Sequence, residues 1–565
     1  MDDLHFCESD LLGVVESVDT GSINIFIENE EHLKSLQVNQ LVAIQSSRVN
    51  QQLIGLVTRI IRKSIADEDR PDEIPVSYNS VRITLIGTHY AIDGLEKNVF
   101  KRSLAVVPSI NAECYVLQSE KLKFFMGAIT NQSQNGKAAL KIGTYNIDDE
   151  ATAWLNGNRF FQRHAVIVGS TGSGKSCCVA NILEQIAELK SANAVLFDIH
   201  GEYTPLVGKN FRQYKIAGPN DLFSDETIFL PYWLLNYDEM LSLMLDRSDT
   251  NAPNQAMAFS AAVITRKQEF LNAMDKKELA DQITLDSPIP YKLLGLIDDL
   301  KELDSEMVPG ARTDKQGPLY GKLTRFIQRL STKKQDKRLN FMFSNDDNLM
   351  EYDFMEDLCK KILEPAVDCE RGIKIIDFSE VPSDILPLIV SMIARLIFSI
   401  QQWTESEKRN PIAIFCDEAH LYIPCAADTT INQASLSTFE RISKEGRKYG
   451  VGLVVITQRP SEVNRTVLSQ CNNFIAMRLT NADDQSVVKR LFPDNLGDFS
   501  EVLPILDVGE AIIVGDSCLL PSRIKVQCPT RKPKSQTVDF WNIWAKNDSN
   551  ATINASVNAL RRQSK

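Results

Sequence analysis

Eight residues, Gly-Ser-Thr-Gly-Ser-Gly-Lys-Ser from Gly169 to Ser176, have the types and spacing to hold a polyphosphate. They fit the pattern G-x-x-x-x-G-K-S at Gly169, Gly174, Lys175 and Ser176. Glycines let the backbone curl until successive N–H groups converge on phosphate oxygens. A helix starting at the end of the loop adds its positive N-terminal end. Lys175 is suited to the β- and γ-phosphates of ATP, and the Ser176 hydroxyl to Mg²⁺. The residues that would touch the nucleotide are Gly169, Ser170, Thr171, Gly172, Ser173, Gly174, Lys175, Ser176 and Cys177. The apolar "AVIV" precedes the loop and "CCVANILEQIAEL" follows it. That predicts the strand–loop–helix context without which the pattern is only a glycine-rich turn.

Hydrolysis also needs an acid for Mg²⁺ and a group that activates water. "IAIFCDEAH", from Ile412 to His420, offers both. Asp417 ends an apolar run and would hold the metal; Glu418 would polarise the attacking water. Asp198 in "VLFDIHGEY" competes for the metal role, but it brings no adjacent glutamate. Gln458 closes "GLVVITQ" and is placed to sense a γ-phosphate or to position water. "RISKEGRKYG" sets Arg441, Lys444, Arg447 and Lys448 on or near a helix end. Such a group is a solvated basic face, a nucleic-acid contact, or the source of an arginine that reaches a neighbouring subunit's nucleotide. Arg447, where the helix gives way to a loop, is the first choice for that arginine, with Arg441 second and Arg163 third. The basic "STKKQDKR" reads as a solvated loop.

The elements that must position these residues show in the hydrophobic pattern. "NAVLFDIHG", "IKIIDFSEV", "IAIFCDEAH", "GLVVITQRP" and "NNFIAMRL" are short apolar runs ending in polar residues, as buried parallel strands do. Helical patterns lie between them. From Phe229 to about Glu370 the strand pattern lapses into helical spacing, which reads as an insertion over about 230–370. The N-terminal part is different. "LLGVVESVDTGSINIFIE" is two β-branched runs around a turn, and the style continues through residues 1–135, predicting a small barrel or sandwich. The polar "TNQSQNGKAA" reads as containing a turn. A core over 150–535 and a polar tail over 538–565 complete the division.

The chain has 565 residues, which predicts three to five structural units. Its formal net charge of -12 excludes a generally basic surface, though an acidic ring can still line a channel with Lys and Arg. The 11 cysteines show no CxxC pair, so reduced thiols serving as small apolar residues are expected. The N-terminus lacks the plan of a signal peptide. "ILPLIVSMIARLIFSI" is too short to span a bilayer and is interrupted by Pro387 and Arg395, so it reads as a buried helix. No membrane partner and a cytoplasmic location are expected.

Taken together, "NRFFQRHAVIVGSTGSGKS", "FDIHGEY", "IAIFCDEAHLYIP", "RISKEGRKYGVGLVVITQRPSEV" and "VLSQCNNFIAMRLTNADD" resemble the HerA family of hexameric DNA-translocating ATPases, related to FtsK. The resemblance implies an α/β fold: a RecA-like P-loop NTPase core, a small N-terminal β-barrel of the HAS type and an inserted helical subdomain. It implies a homohexamer with ATP at subunit interfaces and double-stranded DNA through the centre. It also implies a partner on a separate chain, either a nuclease (in archaea NurA, in end resection) or a sirtuin-like or nuclease effector in anti-phage defence. Lys175, Ser176, Asp417, Glu418 and Gln458 match the family's motifs. Asp198, His200 and Glu202 match a further one near the nucleotide or the subunit interface. Two other readings share these residues: an ATPase scaffold that regulates a defence effector without processive translocation, and a conjugation-type pump.

Overall fold

The computed structural model describes residues 4–562 apart from 20, 29, 66–75, 95, 105, 135–137, 311–312, 493, 535–538 and 546–552. It divides into two compact units. The first comprises Met1–Gln185, Gly452–Ser461 and Leu468–Ser535; the second comprises Ile186–Val451, Glu462–Val467 and Gln536–Lys565.

The first unit begins with a barrel. Strands β1 (Leu11–Val18) and β2 (Ser22–Phe26) form the expected hairpin, with Val18 opposite Ile23. They are followed by β3 (Leu41–Gln45), β4 (Gln51–Ile65), β5 (Val76–Asp93), β6 (Glu96–Lys101) and β7 (Glu113–Val116). The order is β2-β1-β7-β3-β4-β5-β6, and β2 also pairs with β5. That pairing closes six strands into a ring and removes their free edges. Ile23, Ile25 and Ile27 alternate into the same interior as Val81, Ile83 and Leu85, as the two-residue strand period requires.

The polar stretch read as a turn starts inside a helix. Ser119–Gln134 is helical and buries Phe125, Met126 and Ile129, which share one face. Beyond it, Ala165–Val168 lies between two parallel partners, with Val168 opposite both Thr457 and Ala476. Antiparallel strands Glu510–Gly515 and Ser522–Val526 and the hairpin Ala139–Tyr145/Asp148–Asn156 extend the sheet on the side of Asn473–Met477.

The second unit is built on parallel strands in the order Thr227–Ile228, Phe211–Ile216, Ile373–Asp377, Ala194–Asp198, Ile412–Cys416. Every residue of the last two is buried, as in a sheet covered on both faces. Helix Leu386–Trp403 is long and apolar enough to cross a membrane, yet 72% of it is buried within the protein. It is apolar almost all round because it is interior. Neither residue expected to interrupt it does so. Pro387 sits in its first turn, where no helical N–H is needed. The Arg395 guanidinium meets the buried Glu239 carboxylate at 2.7 Å and also donates to the Leu234 carbonyl.

From Ile228 to Ile373 the chain is mainly helical, with helices Tyr237–Met244, Ala252–Ala273, Leu293–Ser305, Thr324–Gln335 and Phe354–Leu363. A two-stranded ribbon, Met307–Val308 with Lys315–Gln316, interrupts them. "STKKQDKR" is not one loop. Its first half ends helix Thr324–Gln335, and Asp336 then caps a short turn of helix over Lys337–Leu339. The tail carries helices Phe540–Trp544 and Ile553–Arg562, while its residues 538, 546–552 and 563–565 lie outside the described residues.

Candidate nucleotide site

In the first unit, strand Ala165–Val168 delivers the chain to the phosphate loop, and helix Lys175–Ala187 starts at Lys175. The loop is fastened at several points. Gly169 N–H donates to the Thr457 carbonyl, and Ser170 N–H donates to the Arg478 carbonyl at 2.8 Å. Gly509 N–H donates to the Ser173 carbonyl at 2.9 Å. Two glycines are required by geometry. A Cβ on Gly169 would lie 2.4 Å from Ser173 Oγ and 2.9 Å from Met477 Cβ. Gly174 has φ +103°, which L-residues rarely adopt, and backs onto Gly509. Lys175 and Ser173 are buried; Ser170, Ser176 and Cys177 are partly buried; Thr171 and Gly172 are exposed. Burial raises the Cys177 thiol pKa, against the lowering that a helix N-terminus exerts.

Gln458 is brought to this loop. It follows strand Val451–Thr457, and its Oε1 accepts a hydrogen bond from the Thr171 hydroxyl. Arg459 comes next, with Nη1 4.0 Å from the buried Asp484 carboxylate. Sequence reasoning missed Arg459, Arg478 and Gly509. Arg478 directly follows one recognised strand and Arg459 lies two residues past another, so a search for charged residues just beyond each strand end would have found them.

In the second unit, strand Ile412–Cys416 ends at Asp417 and Glu418, which are 3% and 5% exposed. Glu418 holds φ +45°, the left-handed region. Outside glycine and asparagine this conformation costs about 1–3 kcal/mol, and it clusters at functional sites. Tyr422, fully buried, donates its hydroxyl to the Asp417 carbonyl at 2.8 Å. His420 Nδ1 lies 3.3 Å from Glu418 Oε2. The turn is therefore held by the side chains that follow it.

Asp198 is spent locally. It ends strand Ala194–Asp198, is fully buried, and accepts N–H bonds from Glu202 at 3.0 Å and Tyr203 at 2.9 Å. Burial pushes its pKa up to about 6; the backbone N–H groups pull against that, and the nearby Asp377 adds to it. Its role here is to shape the "DIHGEY" loop. His200 in that loop is exposed and Glu202 partly buried.

The three arginine candidates differ sharply. Arg441 is engaged in its own chain: it donates to Gln402 Oε1 at 3.1 Å, lies 3.6 Å from Glu445 and stacks over Phe398. Arg163 has Asp516 at 3.8 Å. Arg447 sits on the short helical turn Gly446–Tyr449, is exposed, and its side chain makes no hydrogen bond or ion pair among the described residues.

A parallel α/β core, a phosphate loop at a strand-to-helix junction and adjacent buried acids at another strand end define a RecA-like P-loop NTPase, here joined to a small β-barrel. Two family models cover most of it: "Helicase HerA, central domain" over residues 140–397 and "Helicase HerA-like C-terminal" over 387–549. The chain belongs to the HerA family. It is 26% identical over 511 residues to a probable helicase of Methanocaldococcus jannaschii, covering 88% of this chain and 87% of that one. It is 25% identical over 527 residues to the DNA double-strand break repair helicase HerA of Saccharolobus solfataricus, covering 89% and 91%. Among solved structures, VirB4 of Thermoanaerobacter pseudethanolicus superposes with a TM-score of 0.47 at 16% identity, over 70% of this chain and 98% of that one.

Proposed function

We propose that the chain is an ATP-hydrolysing ring motor, a homohexamer acting on double-stranded DNA, with a separate nuclease or sirtuin-like effector as its partner in DNA end processing or anti-phage defence. The observation that carries the reading is the phosphate loop, pinned by Thr457, Arg478 and Gly509 and contacted through Thr171 by Gln458. The full-length similarity to a double-strand break repair helicase supports DNA as the track.

In this reading the loop N–H groups and Lys175 neutralise the β- and γ-phosphates. Ser176 and Asp417 supply a hydroxyl and a carboxylate, an all-oxygen donor set that suits Mg²⁺. The metal, when bound, screens phosphate charge. Glu418 accepts a proton from the attacking water. Gln458, held by Thr171, fixes the position of that water or registers the γ-phosphate. Arg447, exposed and without a side-chain partner among the described residues, completes a neighbouring subunit's site by stabilising charge on the transferred phosphoryl group.

The test is ATPase activity with and without duplex DNA. Duplex should stimulate turnover, and stimulation should fall steeply between about 50 and 200 mM salt as counterion release weakens phosphate contacts. Mass photometry with ATP present should show six-fold particles. A stable monomer, or hydrolysis indifferent to DNA, overturns the motor reading.

A further inference from the structure

One cation at the phosphate loop has no assigned work. Arg478 is the first residue after strand Asn473–Met477, which runs parallel to the strand feeding the loop with Val168 opposite Ala476. That register carries residue 478 alongside residue 170. The Ser170 N–H donates to the Arg478 carbonyl at 2.8 Å, and the Thr480 N–H reaches Ser170 Oγ at 3.4 Å. Met477 packs beneath the loop, 2.9 Å from where a Gly169 Cβ would stand. Residues 477–480 are thus laced to the loop on both sides of Arg478.

The guanidinium itself is unmatched. Arg478 is partly buried, and its side chain makes no hydrogen bond or ion pair among the described residues. Its neighbours in the same unit are matched: Arg459 has Asp484 at 4.0 Å, and Arg163 has Asp516 at 3.8 Å. Partial burial of a charge without a counter-charge is unfavourable and is relieved when an anion arrives. The anion this loop is built for is a polyphosphate, and a guanidinium binds phosphate oxygens in a fork that lysine cannot reproduce.

We propose that Arg478 is a second phosphate-binding cation of this loop, closing on the terminal phosphate of ATP bound by its own chain and so separating ATP from ADP. The inference rests on the ATPase reading above and names a residue that reading does not use. It gives the loop two cations with different duties. Lys175 is set within the loop and serves both nucleotides. Arg478 is set beside the loop's entry and responds to the terminal phosphate.

The experiment measures binding of ATPγS and of ADP, each with Mg²⁺, to the full-length wild type and to Arg478→Ala, Arg478→Gln and Arg478→Lys. For the Ala and Gln variants ATPγS should bind about 10- to 100-fold more weakly, the range for a lost bond to a charged group. ADP should stay within about two-fold, and Lys should recover part of the loss. Thermal melts identify any variant that fails to fold, and the remaining variants then decide. Equal weakening of both nucleotides overturns the proposal, because it marks damage to the loop. Unchanged ATPγS binding with weakened duplex binding overturns it in favour of a DNA contact. If the wild type binds neither nucleotide, the ATPase reading has failed instead.

Discussion

Replacing Glu418 with glutamine should separate catalysis from binding. Glutamine keeps the shape and the buried volume but cannot accept the water's proton. Loss of a general base costs about 10²- to 10⁴-fold in rate, or roughly 3–5.5 kcal/mol of barrier. ATP affinity should stay within a few-fold, because the phosphates are held by the loop and Lys175. The backbone supplies a second arm. At φ +45° Glu418 occupies a conformation that costs an L-residue about 1–2 kcal/mol relative to glycine. Glu418→Gly should therefore be as inactive as glutamine, yet melt no lower than wild type. Steady-state phosphate release, ATPγS binding and a thermal melt on the three proteins give the answer. If both variants lose stability and nucleotide affinity along with rate, Glu418 is a structural residue whose buried carboxylate holds the turn with His420, and the catalytic assignment falls.

Three further outcomes are expected. Rings doped with Arg447→Ala subunits should lose activity in neighbouring wild-type sites as well, because an arginine acting across an interface is worth about 10³–10⁵ in rate; loss strictly proportional to dose would return Arg447 to the surface. Arg395→Met should destabilise the second unit by about 3–5 kcal/mol by stranding the buried Glu239 carboxylate, read as a shift of the urea midpoint; a shift under 1 kcal/mol would show that water reaches the pair. Asp198, with a folded pKa of about 6 against 3.8, binds its proton more tightly folded than unfolded. Its contribution to stability is therefore present below about pH 4 and lost as pH rises to 6, amounting to about 3 kcal/mol at roughly 1.4 kcal/mol per pKa unit. Asp198→Asn should remove that pH dependence from urea unfolding curves, and a wild type as stable at pH 6.5 as at pH 4 relative to the variant would refute it.

The sequence by itself determined the chemistry that depends on local order. A strand, a glycine-rich turn and a helix in succession are legible as a phosphate loop within about twenty residues, although the bonds that fasten it come from Thr457, Arg478 and Gly509, far along the chain. The acids at 417 and 418 were legible for the same reason: an apolar run ends and charge begins. The β hairpin at 11–26 followed from alternation and its turn. Only the tertiary structure decided matters that depend on long-range pairing. Barrel closure required β2 to meet β5, some sixty residues away. The helix at 119–134 was hidden because its polar final turn looked like a loop, while Phe125, Met126 and Ile129 face the interior. Arg395 looked like a break in an apolar helix until Glu239, far off in the chain, supplied its counter-charge. Asp198 and Asp417 look alike in sequence, each an acid closing a buried strand. What marks Asp198 is the next few backbone N–H groups, which fold back onto its carboxylate, whereas at Asp417 the Tyr422 hydroxyl binds the backbone carbonyl. Arg478 acquires its meaning in the same way: parallel register sets it beside a loop that lies some three hundred residues earlier in the chain.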